Sequence, residues 1–163
     1  MGTLYDLTYP PVFRYCLRRS GNRGLAEDIT SIVFLKGAGS ISGFSGAGFQ
    51  DFRRWVFTIA TNELNADCRK TARRWELLRD AATAGQLRHQ ARGEVVEENV
   101  GRDTLQTVLL KLSDRDQAII VLRFYSELSY DDVATILDMS PGAVRTAASR
   151  ALEEMRNELR IEI

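Results

Sequence analysis

Polar and cationic side chains gather at the start of one amphipathic segment near the C-terminal end of the chain. They are Arg145, Thr146, Ser149 and Arg150, and the opposite side of the same helical pattern is apolar, with Val144, Ala148, Ala151, Met155 and Leu159. Guanidinium and hydroxyl groups form hydrogen bonds with base edges and phosphate oxygens. A helix that presents these groups together is therefore a candidate for contact with a DNA major groove.

A second short segment and a tight turn precede this helix. Ser129 and Ser140 are suited to N-caps, and Asp132 makes a capping-box-like pair with Ser129. Pro141 suits the first position of a helix, and Asp138-Met139 predicts the turn. Two capped helices joined by a turn are typical of a helix-turn-helix. The same layout also occurs in helical bundles that bind no nucleic acid, so the pattern alone leaves both possibilities open.

Helical periodicity extends along most of the chain, and strand-like alternation is nearly absent. We predict an all-α protein with two small helical domains, over 1–75 and 103–163, joined by a linker over 76–102. The C-terminal domain contains the helix-turn-helix. In the N-terminal domain we expect helices over about 4–20, 25–36 and 52–74, with a glycine-rich loop over 37–51.

Charge is balanced overall but unevenly distributed. The chain has 22 Lys and Arg and 22 Asp and Glu among 163 residues. Residues 1–75 hold 11 Lys and Arg against 6 Asp and Glu, whereas residues 111–163 hold 7 against 10. Because local charge decides phosphate contact, the basic excess of the N-terminal domain favours a nucleic-acid partner for it as well.

Several classes of protein are disfavoured. No apolar run of about 18 residues predicts a membrane span, and no secretory signal is visible, so we expect a cytoplasmic protein. Cys16 and Cys68 match no metal-ligand spacing, which indicates reduced thiols. His89 is the single histidine. With no plausible nucleophile–base set, we expect no enzyme, no catalytic residues, no metal and no cofactor.

The C-terminal motifs resemble region 4 of bacterial sigma factors of the extracytoplasmic-function (ECF) class. The resemblance rests on the opening at 112–115, LRFY at 122–125, LSYDDVATIL at 128–137 and the S-x-G-x-V-[KR] pattern at 140–145. Taken alone, these motifs are also similar to the helix-turn-helix of two-component regulators.

The N-terminal half separates these options. AEDITSIVFLK at 26–36 resembles region 2.2 of the same sigma class, and FRRWVFTIATN at 52–62 resembles regions 2.3 and 2.4. The resemblance implies a sigma factor that directs core RNA polymerase to promoters by recognition and melting of the −10 element and recognition of the −35 element. It also implies promoter DNA as a ligand, and an anti-sigma factor or another inhibitory regulator as a further partner.

The resemblance assigns three groups of site residues. The polymerase-binding residues are Glu27, Asp28, Ser31 and Ile32. The −35 contacts are Arg145, Thr146, Ser149, Arg150 and Arg115. The −10 contacts are Phe44, Phe49, Gln50, Asp51, Arg53, Arg54, Asn62, Arg69, Lys70, Arg73 and Arg74.

The chemistry expected of the −10 group has two parts. In the family, the loop before 52 captures a base flipped out of the non-template strand, which requires a stacking surface and hydrogen-bonding groups. The cations would hold phosphates of the melted strand. The alternatives are that the aromatic residues anchor a flexible loop and that the cations form a solvated face.

Some positions depart from the family pattern. Ser31 and Ile32 replace a glutamine and an acidic residue, Thr61 replaces an arginine, Ala147 stands at a usually basic position, and 37–39 replaces an aromatic-basic continuation. A phosphate on Thr30 or Ser31 is one hypothesis for restoring the missing negative charge. The losses at Ser31, Ile32 and Ala147 leave one rival open, a degenerate sigma factor that titrates another regulator. The other rival, a helix-turn-helix regulator that binds duplex DNA alone as a dimer, does not need the motifs at 26–34 and 52–62.

Overall fold

The computed structural model describes residues 2–81 and 104–161, which form seven α-helices and no β-strand. The segment predicted as the N-terminal domain holds α1 (Gly2–Ser20), α2 (Arg23–Ser40) and α3 (Phe49–Ala81), and we keep that name for these helices. The segment predicted as the C-terminal domain holds α4 (Thr104–Lys111), α5 (Asp114–Ile120), α6 (Tyr130–Leu137) and α7 (Pro141–Ile161), and it keeps its name likewise. A 3₁₀ turn, Ile41–Gly43, follows α2, and a π-helical turn, Val121–Tyr125, continues α5. The predicted all-α fold is confirmed, and no helix in these two stretches is long and apolar enough to cross a bilayer.

The N-terminal domain is built from the apolar faces of its three helices. Val12 of α1, Val33 of α2 and Phe57 of α3 have no exposed surface. Gly21 separates α1 from α2 with a φ of +65°, a left-handed conformation that favours glycine. Asn22 then caps α2, because its Oδ1 accepts a hydrogen bond from the Leu25 backbone N at 2.9 Å. The sharp turn and the cap together set α2 against α1.

Helix ends differ from the sequence-based expectation in three places. α2 extends to Ser40 and α3 begins at Phe49, so the glycine-rich loop shrinks to 44–48 after the 3₁₀ turn. Gly37 is buried inside α2, and a Cβ there would lie 3.9 Å from the Trp55 ring of α3, in ordinary van der Waals contact. α3 continues past 74 to Ala81, into the predicted linker, and the rest of that linker lies outside the described residues.

The C-terminal domain confirms the predicted caps. The Ser129 hydroxyl accepts from the Asp132 backbone N at 3.0 Å, and the Ser140 hydroxyl accepts from the Ala143 backbone N at 3.2 Å. Asp138 ends α6 in a left-handed conformation, with a φ of 53°. These local devices turn the chain sharply between α6 and α7 and form the helix-turn-helix.

The apolar stripe of α7 packs into the core of the C-terminal domain. Val144, Ala148, Ala151 and Met155 are buried, as the periodicity predicts. Ala147 is also buried, with 2% of its surface exposed, so it belongs to the core and not to the polar face of α7. A basic side chain at this position would need a different packing beneath it, which explains why alanine occupies it here.

The two domains pack against each other. The Gln106 side-chain amide of α4 donates to the Arg18 carbonyl of α1 at 2.8 Å. The Arg18 guanidinium lies 4.2 Å from the centroid of the Tyr125 ring. Gly21 approaches Leu110 so closely that a Cβ would be 2.9 Å from its Cδ1. A cavity of about 390 Å³ remains between α3 and the C-terminal domain.

Candidate nucleic-acid interface

The start of α7 presents the predicted polar face to solvent. Arg145, Thr146, Ser149 and Arg150 are all exposed, because the opposite stripe of the helix is buried. The Arg145 guanidinium lies 5.4 Å from the centroid of the Tyr130 ring, which limits its orientations by a cation–π contact. The structure therefore brings these four residues together on one accessible surface, which we call the recognition face.

Arg115 has different neighbours from the recognition face. It lies on α5, it is exposed, and its guanidinium is 3.4 Å from the Asp116 carboxylate. It lines the cavity between the domains together with Arg69 of α3 and Asp114. In this arrangement Arg115 faces the N-terminal domain, so a DNA backbone contact by Arg115 stays a prediction.

The loop before α3 is pinned by its first aromatic residue. The Phe44 ring lies 5.8 Å from the Phe52 ring and 5.2 Å from the Trp55 ring, between centroids. Gly46 sits directly against it, since a Cβ there would be 2.4 Å from the Phe44 Cζ. The loop is thus anchored to the domain by Phe44, which was one of the two roles that the sequence allowed for its aromatic residues.

Asp51 closes the loop onto the helix that follows it. Its Oδ2 accepts from the Ala47 backbone N at 2.9 Å, and its Oδ1 pairs with the Arg54 Nη2 at 2.8 Å. Phe49 is 40% exposed and Gln50 is exposed beside it. Of the four loop residues singled out, Phe49 and Gln50 therefore have the surface that a stacked and hydrogen-bonded base requires.

The next two cations of α3 contact the C-terminal domain. The Arg53 Nη2 donates to the backbone carbonyl of Ser126. The Arg54 Nη1 lies 3.1 Å from the Asp132 Oδ1, so Arg54 bridges Asp132 and Asp51. The capping-box interpretation of Asp132 is therefore only half right, because its backbone N binds Ser129 while its carboxylate binds Arg54.

The remaining polar residues of α3 predicted to contact the −10 element are exposed. They are Asn62, Arg69, Lys70, Arg73 and Arg74.

Beneath this side of the domain lies a buried network of hydrogen bonds, in which Arg19 Nη1 donates to the Tyr15 hydroxyl at 3.0 Å. The Tyr15 hydroxyl donates to Thr61 Oγ1 at 2.9 Å, because the Thr61 hydroxyl itself donates to the Phe57 carbonyl at 2.8 Å.

This buried hydrogen-bond network explains the departure at Thr61, because the Thr61 hydroxyl is one of its interior members. Arg19 is only 6% exposed, and its Nε has no hydrogen-bond partner among the described residues. Burial raises the pKa of Tyr15, which keeps the phenol protonated as a donor. The sequence does not predict this hydrogen-bond network, since Arg19 lies in a run of residues typical of protein surfaces at the end of α1.

The outer side of α2 carries the residues predicted to bind polymerase. Glu27, Asp28, Ser31 and Ile32 are exposed there, and Glu27 pairs with Arg23 at 3.2 Å. Thr30 has no exposed surface, and its hydroxyl donates to the Ala26 carbonyl at 2.6 Å. Thr30 is therefore closed to a kinase in this fold, which leaves Ser31 as the residue to which the phosphorylation hypothesis applies.

Metal chemistry has no visible basis in residues 2–81 and 104–161. No group of three or more His, Cys, Asp or Glu side chains in these stretches is placed to hold a metal ion. Cys16 and Cys68 are free thiols. His89 lies outside the described residues.

Two solved structures share this fold over nearly the whole chain. The sigma factor RpoE from Bartonella quintana, solved in complex with the anti-sigma factor NepR, has a TM-score of 0.70 and 20% sequence identity. The match covers 98% of this chain and 96% of that one. CnrH, solved with the cytosolic domain of CnrY, has a TM-score of 0.71 and 18% identity, covering 99% of this chain and 88% of CnrH.

Sequence comparisons decide the family. Family models for sigma-70 region 2 and sigma-70 region 4 match residues 4–74 and 102–155. The chain is 28% identical to the RNA polymerase sigma factor YlaC of Bacillus subtilis, over 96% of this chain and 90% of YlaC. It is 32% identical to the ECF RNA polymerase sigma factor BldN of Streptomyces coelicolor, over 94% of this chain and 58% of BldN. The chain belongs to the ECF class of sigma factors.

Within this sigma factor, α1–α3 fall in the segment matched by region 2, and α4–α7 fall in the segment matched by region 4. The recognition face thus belongs to region 4, whereas the loop and α3 belong to region 2. The residues that join these regions were not predicted from sequence, and they are Arg18, Tyr125, Ser126 and the carboxylate of Asp132. Their partners lie many residues away along the chain, and no local pattern signals such a contact.

Proposed function

We propose that this ECF sigma factor directs core RNA polymerase to specific promoters through two separate DNA contacts, which leads to transcription initiation. The observation that carries this proposal is that one chain holds an exposed recognition face in region 4 and a second set of exposed aromatic, amide and cationic groups in region 2. Because the two contacts are linked covalently, each raises the effective concentration of the other at a promoter.

Region 4 recognises the −35 element in this proposal. Arg145, Thr146, Ser149 and Arg150 lie on the first turns of α7, where a helix inserted into the major groove meets base edges. Arginine donates two hydrogen bonds to guanine, whereas the hydroxyl groups suit bases or phosphates. Arg115 adds a backbone contact once region 4 has moved away from region 2.

Region 2 recognises and opens the −10 element. Phe49 and Gln50 supply the stacking surface and the hydrogen bonds for a flipped base, and Phe44 and Asp51 hold their loop in place. The helix α3 supplies the groups that would track the melted strand. These groups are Arg53, Arg54, Asn62, Arg69, Lys70, Arg73 and Arg74.

The protein partners follow from the same proposal. Core RNA polymerase binds the outer side of α2 at Glu27, Asp28, Ser31 and Ile32, and the exposed Leu35 extends that surface. An anti-sigma factor or another inhibitory regulator is the further partner. The sigma factor supplies no catalytic group, because bond formation belongs to the polymerase, and its place of action is the cytoplasm where the polymerase works.

The deciding experiment is run-off transcription with core polymerase on the DNA upstream of the chain's own coding sequence. We expect a discrete transcript that core polymerase alone does not give. The double variant Arg69→Ala/Arg73→Ala should lower its yield, because phosphate contacts to the open strand are lost. Arg79→Ala is the matched control, an exposed cation farther along the same helix.

The opposite outcomes are equally specific. An absent transcript together with absent binding to core polymerase would contradict a sigma function. Tight binding of the free chain, as a dimer, to a duplex palindrome would favour a helix-turn-helix regulator. Normal binding to core polymerase without any promoter-specific transcript would favour a titrating protein.

A further inference from the structure

Arg19 is a buried cation without a carboxylate partner among residues 2–81 and 104–161. It is 6% exposed, its Nη1 donates to the neutral Tyr15 hydroxyl at 3.0 Å, and its Nη2 donates to the Asn65 Oδ1 at 3.5 Å. Its Nε has no hydrogen-bond partner in the same stretches. Buried ions are ordinarily paired, because removing an isolated charge from water is costly. The buried charge of Arg19 therefore favours an anion close by.

Asn65 connects Arg19 to the cavity of about 390 Å³ between the two regions, which we call the interregion cavity. Asn65 lines this cavity, and its Oδ1 accepts from the Arg19 guanidinium. The oxygen and nitrogen of an amide lie on opposite sides of its carbon, so the two Nδ2 donors are turned away from Arg19. Within the described residues these donors have no acceptor. Asn65 thus offers the cavity hydrogen-bond donors that are backed by a buried positive charge.

The polar groups that line the interregion cavity are mostly donors. They are Asn65, Cys68, Arg69, Asp114 and Arg115, so a single carboxylate faces two guanidinium groups, an amide and a thiol. Arg69 makes no hydrogen bond or ion pair within the described parts of the chain, and Arg115 reaches the Asp116 carboxylate only at 3.4 Å. Guanidinium groups match carboxylates and phosphates in geometry as well as charge. The cavity volume of about 390 Å³ lies in the range of pockets that hold small organic molecules.

We propose that the interregion cavity binds a small organic oxyanion, a carboxylate or a phosphate, through Asn65, Arg69 and Arg115. The bound anion supplies the counter-charge that Arg19 lacks, and Leu137 offers apolar contact to the rest of the molecule. The walls come from both regions, so binding is linked to the arrangement in which they are complete. Promoter recognition does not require this site, which adds a small-molecule ligand to the DNA and protein partners of the sigma factor.

Cys68 reports on the charges around the cavity. Burial raises the pKa of its thiol and the Asp114 carboxylate raises it further, whereas Arg19 and Arg69 lower it. An anion bound beside Cys68 would cover the thiol and raise its pKa again, and both effects slow alkylation. The chain has two cysteines. Cys16 stays silent, because it is fully buried and its pKa is raised to about 11.

The first measurement is the rate of Cys68 alkylation by iodoacetamide in the full chain. Chloride is replaced by inorganic phosphate or by citrate at constant pH and ionic strength, so that general screening does not change. We expect the rate to fall roughly fivefold along a saturating curve, and the thermal unfolding midpoint to rise over the same concentrations. Stronger protection by phosphate indicates a phosphorylated ligand, and stronger protection by citrate indicates a carboxylate.

Two variants of α3 separate the site from the general charge of the surface. Arg69→Gln removes one guanidinium from the cavity wall, so half-maximal protection should need a roughly tenfold higher anion concentration. Arg79→Gln is the matched control. It removes an exposed cation from the same helix outside the cavity and should leave the protection curve unchanged.

Asn65→Asp tests the role of the buried charge directly. It places a carboxylate at the position that now accepts from the Arg19 Nη2 at 3.5 Å, and so gives Arg19 a counter-charge from the chain itself. We expect a higher unfolding midpoint in chloride, slower Cys68 alkylation without added anion, and loss of the response to phosphate and citrate. Circular dichroism establishes that each variant is folded. If Asn65→Asp does not fold, the comparison of Arg69→Gln with Arg79→Gln carries the test.

Three results would overturn the proposal. One is an alkylation rate that is equal in chloride, phosphate and citrate. Another is protection that Arg79→Gln weakens as much as Arg69→Gln does, which would mean an unspecific effect of surface charge. The third is a folded Asn65→Asp variant that is still protected by the anions. None of these measurements involves polymerase or promoter DNA, so failure of the anion site is distinguishable from failure of the proposed function.

Discussion

The two surfaces that we propose to contact DNA are presented in different ways. In region 4, Arg145, Thr146, Ser149 and Arg150 are exposed on a helix whose other side is buried. In region 2, Arg53 and Arg54 have the same chemistry but are held by region 4. A helical pattern predicts which side of a helix is polar. It does not predict whether another part of the chain already occupies that side.

The buried side chains beneath the two surfaces, which we call the supports of those surfaces, differ as well. The buried side chains of α7 over 141–160 are apolar, and they are Val144, Ala147, Ala148, Ala151 and Met155. Beneath α3, the buried side chains include a charged guanidinium, Arg19, bound to Tyr15 and through it to Thr61. The stability of the apolar support depends on packing, whereas the stability of the polar support depends on every hydrogen bond in its network.

The largest effect that we predict tests the polar support. Tyr15→Phe removes the hydroxyl that accepts from Arg19 and donates to Thr61, and it leaves a buried guanidinium with poorer hydrogen bonding. We expect the free energy of unfolding to fall by about 3 kcal/mol. Urea denaturation followed by circular dichroism measures it. Tyr9→Phe, on the half-buried Tyr9 of the same helix, is the control and should change stability by about 0.5 kcal/mol or less.

A small decrease in the free energy of unfolding for Tyr15→Phe would contradict this difference between the two supports. A decrease of about 1 kcal/mol or less would mean that water solvates Arg19 as well as the phenol does. Region 2 would then resemble region 4, with its apolar side chains setting its stability.

The next effect tests what the recognition face contacts. Arg145→Ala should lower affinity for the preferred base pair at one position of the −35 element by about 1–3 kcal/mol, and so relax selectivity there. Holoenzyme binding to a set of single-base variants of the −35 element measures this. Arg156→Ala, an exposed cation farther along α7, is the matched control and should leave selectivity unchanged. A uniform loss over all variants would instead make Arg145 a phosphate contact.

Local features of the structure were predictable from sequence. The caps at Ser129 and Ser140, the turn at Asp138 and the polar face of α7 all follow from residues within one or two helical turns of each other. The helix ends around the glycine-rich loop were not predictable from local sequence, because α2 continues through Gly37, which is buried near Trp55 of α3. Propensity alone ends a helix at such a glycine, and here tertiary contact overrides it.

The features that were not predicted are contacts between residues that lie far apart in the sequence. Arg53 meets Ser126 across 73 positions, and Arg54 meets Asp132 across 78. From sequence, Arg54 is predicted to contact a phosphate and Asp132 to cap a helix, and each prediction is chemically reasonable on its own. Only the packing of the regions shows that these two side chains bind each other.

The smallest effect separates the stability of the recognition face from its contact with DNA. Ser140→Ala removes the oxygen that accepts from the Ala143 backbone N at 3.2 Å, and it should lower the free energy of unfolding by about 1 kcal/mol. Ser140→Asp keeps a cap and adds negative charge at the helix N-terminus, so it should preserve stability. Because that charge would lie close to DNA phosphates, −35 binding should weaken with Asp more than with Ala. Urea denaturation and holoenzyme binding to −35 DNA measure the two quantities. If Asp and Ala weaken binding equally, the start of α7 lies away from the DNA backbone and the recognition face must be placed farther along the helix.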